Sequence, residues 1–282
     1  GDWFAASGAL AVDEELVVQL RELLRLQRRG RFLALGEDRF VALSAQMARH
    51  LDQLRQLAEE SKGDGVRFHR LVLPALADTV AGLGAKTDRG WRARVAALSP
   101  DPAELEVPGT LRAELRPYQQ DGYRWLVTLA SWGAGACLAD EMGLGKTVQA
   151  LGLLARRGHR GPALVVAPTS VVRGWGREAA RFTPALRACV FGLGDRAAEV
   201  SALGPRDVLL CSYGLLVTEQ ATLAGVRWST VILDEAQAIK NPVTARAKAA
   251  CSLNAEARVA LTGTPIENRA LDLWSLFRFL NP

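Results

Sequence analysis

In the stretch LADEMGLGKTVQ (138–149), Lys146 and Thr147 come directly after Gly143, Leu144 and Gly145. Further along, the apolar run VILDEAQ (231–237) ends in two adjacent carboxylates, Asp234 and Glu235. Glycines let a backbone curl until successive N–H groups face one point, and a helix that begins there favours an anion. A lysine at that place reaches terminal phosphates, and a threonine hydroxyl can hold Mg²⁺. A carboxylate at the end of a buried strand, here Asp234, can hold the same ion through water. Its neighbour Glu235 can orient or deprotonate an attacking water. The two motifs therefore read as one nucleotide site, with Lys146, Asp234 and Glu235 in catalytic roles. Gly143, Leu144, Gly145, Lys146 and Thr147 surround the phosphates, and Thr147 and Asp234 take the metal. Either motif alone is weak, and the general phosphate-loop pattern has a glycine where this chain has Asp140.

A site of this kind needs a sheet to carry it. Six short apolar runs, ACLA, ALVVA, ACVF, DVLLC, TVILD and RVALT, alternate with helical segments from residue 136 onward. They are too short to span a bilayer and lack strict polar alternation, which suits strands buried on both faces. The economical fold is α/β: a parallel sheet with helices on each side, and ligands at the carboxyl ends of the strands.

The first hundred residues have a different rhythm. Asp13 can cap a helix with apolar positions Leu16, Leu20, Leu23 and Leu24, closing at Arg28, Arg29 and Gly30. RFLAL and RFVAL flank Gly36-Glu37-Asp38 as a hairpin. Ser44 can cap a second helix with the stripe Met47, Leu51, Leu54 and Leu57, and further helix is expected over Pro74 to Leu83 and Asp88 to Leu98. SPDPAELEVPGT (99–110) reads as a linker. The expected organisation is a smaller, mostly helical α+β accessory domain over 1–99, a linker over 100–110, and the α/β lobe over 111–282.

Composition bounds the rest. A chain of 282 residues that is 49% hydrophobic can bury a sizeable core, which excludes global disorder. A net charge of +5 permits an acidic polymer as partner without demanding one. Cys137, Cys189, Cys211 and Cys251 are far apart, and His50, His69 and His159 lack ligand spacing, so a zinc site is not expected. Three of the cysteines sit in apolar runs, where reduced, buried thiols are expected. No leader or membrane span is read, so a cytoplasmic protein without a membrane partner is expected.

Taken in order, the segments from Leu111 to Pro282 resemble the first motor lobe of superfamily-two helicases. More narrowly, they resemble the Swi/Snf-like DNA-translocase ATPases of bacterial type. That family's first motor motif has the form Ala-Asp-Glu-Met-Gly-Leu-Gly-Lys-Thr, so Asp140 is the family's own residue. LRPYQQDGYRWL (115–126) is similar to its entry motif, which implies that Gln119 reads adenine. VVAPTSVVRGW and CSYGLL are similar to segments that meet a DNA backbone, implying contacts from Thr169, Ser170, Ser212 and Tyr213; Lys240 and Asn241 in LDEAQAIKN are implied likewise. LTGTPIENRALDLWSLFRFLNP is close to the third motif, which implies that Thr262, Gly263 and Thr264, with Gln237, couple nucleotide and DNA. The chain departs from many eukaryotic members, which have Asp-Glu-Gly-His where it has Asp234-Glu235-Ala236-Gln237. The first hundred residues, beginning GDWF, look like the helical extension before the motor in some bacterial members.

The resemblance implies a RecA-like P-loop NTPase lobe that binds ATP and Mg²⁺, and double-stranded DNA as partner at the nucleoid. It also implies a second RecA-like lobe of the same protein, whose arginines can be worth about 10³ to 10⁵ in rate. With no second lobe before Pro282, the chain is expected to be a piece of a longer motor that alone turns ATP over slowly. An RNA-acting superfamily-two ATPase and a non-catalytic nucleotide- or partner-binding module are the alternatives, and the N-terminal domain is a candidate protein-docking element. Trp175 and Trp274 are expected in the core.

Overall fold

All six apolar runs are strands of one parallel sheet in the computed structural model, which describes residues 3–7, 9–11, 17–25, 28–29, 32–34, 40–60, 66–83, 85–141, 143–264 and 270–282. The strands are β1 (Ala136–Leu138), β2 (Ala163–Ala167), β3 (Arg187–Val190), β4 (Asp207–Ser212), β5 (Thr230–Leu233) and β6 (Arg258–Leu261). Their order across the sheet is β3-β4-β2-β5-β6-β1. Every residue of β2, β5 and β6 is buried, as continuous apolar runs covered on both faces require.

Alternate residues of β2 enter different cores. Ala163, Val165 and Ala167 pack with Leu126, Leu151 and Trp175, whereas Leu164 and Val166 pack with Trp228, Leu276 and Phe279. The first core is built with α1 (Pro117–Trp132), α2 (Lys146–Arg157) and α3 (Thr169–Phe182). The second uses the helices Tyr213–Thr218, Ala245–Cys251 and Ala270–Leu280. Local signals set the helix ends. Pro117 opens α1, the Gln119 Oε1 accepts the Arg116 N–H at 3.0 Å, and Gly133, at φ +78°, ends it. In α3 the buried positions Val172, Trp175 and Ala179 form a single stripe.

Register decides what meets at the sheet edge. Ala167 pairs with Ser212, Val166 with Leu233, Leu233 with Ala260, and Leu261 with Leu138. The loops after β1, β2, β4, β5 and β6 therefore leave from one edge, the carboxyl edge.

The chain forms two compact units, Gly1–Leu98 and Ser99–Pro282. The first is α+β, with eight short strands and four helices among its described residues. Phe32–Ala34 pairs antiparallel with Phe40–Ala42, the two arms of the expected hairpin, and Gly36-Glu37-Asp38 lie outside the described residues. Ser44 caps Ala45–Leu57, its Oγ accepting from Met47 N at 3.1 Å, and Asp88 caps Arg89–Ala97. The first expected helix is corrected. Only Leu20–Arg25 is helical; Val17–Gln19 is a strand paired with Ala9–Ala11, and Arg28–Arg29 pairs with Phe32–Leu33. Two adjacent valines favour the extended backbone over a helix turn. Asp13, Leu16 and Gly30 lie outside the described residues.

The segment read as a linker is not a tether. It holds a short 3₁₀ helix, Pro102–Leu105, and Leu105 and Val107 pack against the first core of the larger unit. Tyr123 donates its hydroxyl to the Glu106 carbonyl at 3.1 Å. Of the thiols, Cys211 is buried and pushed up to about 12, while Cys137, Cys189 and Cys251 are half-buried. No helix among the described residues is long and apolar enough to cross a membrane.

Candidate functional site

The loop from β1 to α2 curls as its glycines allow. Gly143 and Gly145 have φ of +83° and +76°, and Lys146 starts α2 directly afterward. A Cβ on Gly145 would meet Gln119 Nε2 at 2.5 Å, whereas a Cβ on Gly143 would meet open space. Lys146 donates its ammonium to the carbonyls of Asp140 and Glu141 at 2.6 and 2.9 Å. Thr147, half-buried, is the second residue of α2. Asp140 is tied to the same helix, because Gln149 donates Nε2 to its Oδ2 at 3.1 Å.

Gln119 supports this loop. It donates Nε2 to the Leu144 carbonyl at 3.0 Å while its Oε1 accepts the Arg116 N–H, so its amide both caps α1 and braces the phosphate-type turn. The Tyr118 hydroxyl reaches the same carbonyl at 3.2 Å.

Asp234 and Glu235 follow β5. Glu235 is one of two described non-glycine residues with positive φ, at +50°, a strain that bends the chain out of the sheet. Its N–H donates to Asp234 Oδ1 at 2.9 Å, and Trp175 on α3 donates its indole N–H to Asp234 Oδ2 at 2.8 Å. Burial pushes the Asp234 carboxyl above its ordinary value; the Trp175 and Glu235 N–H bonds oppose this, the Glu235 charge adds to it, and the Lys146 charge lowers it. Lys146 follows β1 and Asp234 follows β5, with β6 lying between the two strands. Glu178, one turn beyond Trp175, is also raised, first by burial and then by the Asp234 charge, with Arg181 opposing.

The turn beyond Glu235 ties the acid pair to β6. Gln237 donates Nε2 to Glu235 Oε2 at 2.7 Å, and Thr262 donates Oγ1 to Gln237 Oε1 at 3.0 Å. Thr262 also joins β6 to β1, its N–H donating to the Leu138 carbonyl at 3.1 Å. Gly263 and Thr264 follow, and the Thr264 N–H donates to the Thr262 hydroxyl at 3.1 Å.

The donors present fit a metal-bound triphosphate. A lysine, a threonine hydroxyl and a half-buried carboxylate gather at one sheet edge, and hard oxygen donors of this sort suit Mg²⁺.

The residues read as DNA contacts stand at the same edge. Thr169 and Ser170 are exposed on the first turn of α3, and Lys240 and Asn241 are exposed after the Glu235 turn. Ser212 Oγ accepts the Leu215 N–H at 3.2 Å and so caps its own helix. Tyr213 differs from the expectation: its side chain is 4% exposed, and its hydroxyl donates to the Asp234 carbonyl at 2.9 Å. Trp175 is core as expected, at 1% exposure, yet also touches the acid, and Trp274 is corrected to the surface at 52%. No sequence signal aims an indole or a phenol at Asp234, since both bonds arise from strand register.

The SNF2-related domain family matches residues 118–282, more than half of the chain. The chain belongs to this family. Among the SNF2-family relatives is a putative ATP-dependent helicase/translocase, YwqA of Bacillus subtilis, 32% identical over 99% of this chain and 32% of that protein. The chromatin-remodeling ATPase INO80 of Arabidopsis thaliana is 39% identical over 65% of this chain and 13% of its own length. The Sulfolobus solfataricus SWI2/SNF2 ATPase core, solved with dsDNA, is 42% identical with a TM-score of 0.58, covering 63% of this chain and 38% of that one. The chain thus spans about a third or less of the length of these SNF2-family relatives. Its six-stranded sheet is that of a RecA-like SNF2 motor lobe.

Proposed function

We propose that the protein carrying this chain hydrolyses ATP with Mg²⁺ and uses the cycle to track along double-stranded DNA. The supporting observation is that the curled glycine loop ending in Lys146 and the acid pair Asp234-Glu235 leave the same carboxyl edge of one parallel sheet, with Glu235 held by Gln237. In this reading Lys146 and the amides of Gly143, Leu144 and Gly145 bind phosphates, and Gln119, beside the loop, reads adenine. Thr147 and Asp234 hold Mg²⁺, which when bound neutralises charge on the β- and γ-phosphates. Glu235 orients and deprotonates the attacking water, and Gln237 and Thr262 fix its carboxylate.

Thr169, Ser170, Ser212, Lys240 and Asn241 contact the DNA backbone without reading sequence. Gly263 and Thr264 join Thr262 in the link between the two ligands. A second RecA-like lobe of the same protein adds charge to the γ-phosphate side, residues 1–99 form an accessory domain, and the work is done at the nucleoid in the cytoplasm. The relatives' names and the DNA-bound Sulfolobus core support this reading. The test is ATP turnover and triplex displacement by the whole protein. Turnover stimulated by duplex DNA over structured RNA, and lost in Lys146→Ala, is expected; turnover indifferent to duplex would remove the motor assignment.

A further inference from the structure

Two aromatic side chains from different elements hold Asp234. Trp175 bonds its Oδ2 from α3, and Tyr213 bonds its backbone carbonyl from the helix after β4. With the Glu235 N–H on Oδ1, both carboxylate oxygens have a protein donor, and side chain and main chain are fixed separately. Bonds from neutral donors to a half-buried carboxylate are strong and directional. Both aromatics are buried, so neither can swing to another partner without opening the core.

Each also sits close behind an edge loop. Trp175 lies six residues into α3, about 9 Å along the axis from Thr169. The helix is packed along Val172, Trp175 and Ala179, while Thr169 and Ser170 in its first turn are exposed. Tyr213 directly follows Ser212, whose register partner on β2 is Ala167, two residues before Thr169. Both edge loops therefore end on the same acid.

We propose that Trp175 and Tyr213 are positioning residues through which a duplex backbone at Thr169, Ser170 and Ser212 sets how well Asp234 holds Mg²⁺. This rests on the ATP-driven DNA motor reading and adds a physical route to it. Engagement of the first turn of α3 presses or relaxes the indole bond, and engagement at Ser212 does the same to the phenol bond. The carboxylate then presents a different geometry to the ion.

The test is equilibrium binding on the whole protein with a fluorescent ADP analogue, in Mg²⁺ and in EDTA, with and without saturating duplex DNA. In the parent, duplex is expected to change the Kd in Mg²⁺ by about 5- to 150-fold. Trp175→Phe removes the N–H but keeps an aromatic ring, and Tyr213→Phe removes one hydroxyl only. Each is expected to cut the duplex-induced factor at least about threefold and to leave the Kd in EDTA within about twofold. Equal loss of affinity in Mg²⁺ and EDTA marks a merely structural role and overturns the proposal. So does a duplex effect unchanged in both variants, or a parent indifferent to duplex. A parent that binds neither nucleotide nor duplex contradicts the motor reading itself.

Discussion

Thr262 donates its hydroxyl to the Gln237 amide oxygen at 3.0 Å, joining the end of β6 to the turn behind the acid pair. Gln237 passes the restraint on, its Nε2 donating to Glu235 Oε2 at 2.7 Å, while the Thr264 N–H bonds the Thr262 hydroxyl. The four residues form one relay whose final member is the proposed base. Thr262→Val keeps the shape and deletes the donor. Its expected effect is a fall in kcat of roughly ten- to hundredfold, with nucleotide Kd little changed, because outer partners orient a reacting group more than they bind substrate. Steady-state ATP turnover beside equilibrium binding measures this, and a variant losing affinity while keeping kcat would show that the relay serves binding.

The two loop glycines should respond differently to alanine. Both hold positive φ, which costs a non-glycine residue about 1–2 kcal/mol. At Gly145 the added methyl also meets Gln119 Nε2 at 2.5 Å, whereas at Gly143 it meets nothing within 4 Å. Gly145→Ala is therefore expected to lower Tm and nucleotide affinity more than Gly143→Ala. Equal effects in thermal unfolding and binding would mean that the Gln119 brace is unimportant.

Arg187 and Asp207 offer a test by pH. The guanidinium donates Nε to Asp207 Oδ1 at 2.7 Å and Nη2 to Oδ2 at 2.5 Å, a fork on a nearly buried carboxylate. The Arg187 bond holds the Asp207 carboxyl below its ordinary value, with burial opposing and the Gly204 N–H helping. A depressed acid contributes stability above its unfolded value, about 3.9, and loses it as pH falls through the folded value. The Tm gap between parent and Arg187→Met is expected to be widest near pH 7 and to narrow below about pH 4. A gap constant from pH 7 to pH 3 would show that the pair adds no pH-linked stability.

Much of this lobe can be read from residue order. Six apolar runs predict six strands because a strand buried on both faces has no room for polar alternation, and all six are present. The glycine-lysine turn and the acid pair are legible because each follows such a run. The Trp175 and Tyr213 bonds to Asp234 are not, since they depend on which strands are neighbours and in what register. Trp274 is exposed against expectation because the helical spacing of Ala270–Leu280 gives its periodicity but not which side meets the sheet. Leu105 and Val107 were hidden by three prolines and a glycine that imitate a linker. The Val17-Val18 pair turned an expected helix into a strand because local pairing with Ala9–Ala11 outweighed the leucine stripe.

The most direct measurement is binding of a fluorescent ATP analogue to the 282-residue chain across a Mg²⁺ titration, with Lys146→Ala and Asp234→Asn beside the parent. One site shared by the glycine loop and the acid pair requires parent affinity to rise with Mg²⁺, Lys146→Ala to lose binding at every Mg²⁺ level, and Asp234→Asn to lose the Mg²⁺ dependence alone. Parent affinity independent of Mg²⁺, or an Asp234→Asn curve superimposable on the parent's, would contradict a single site.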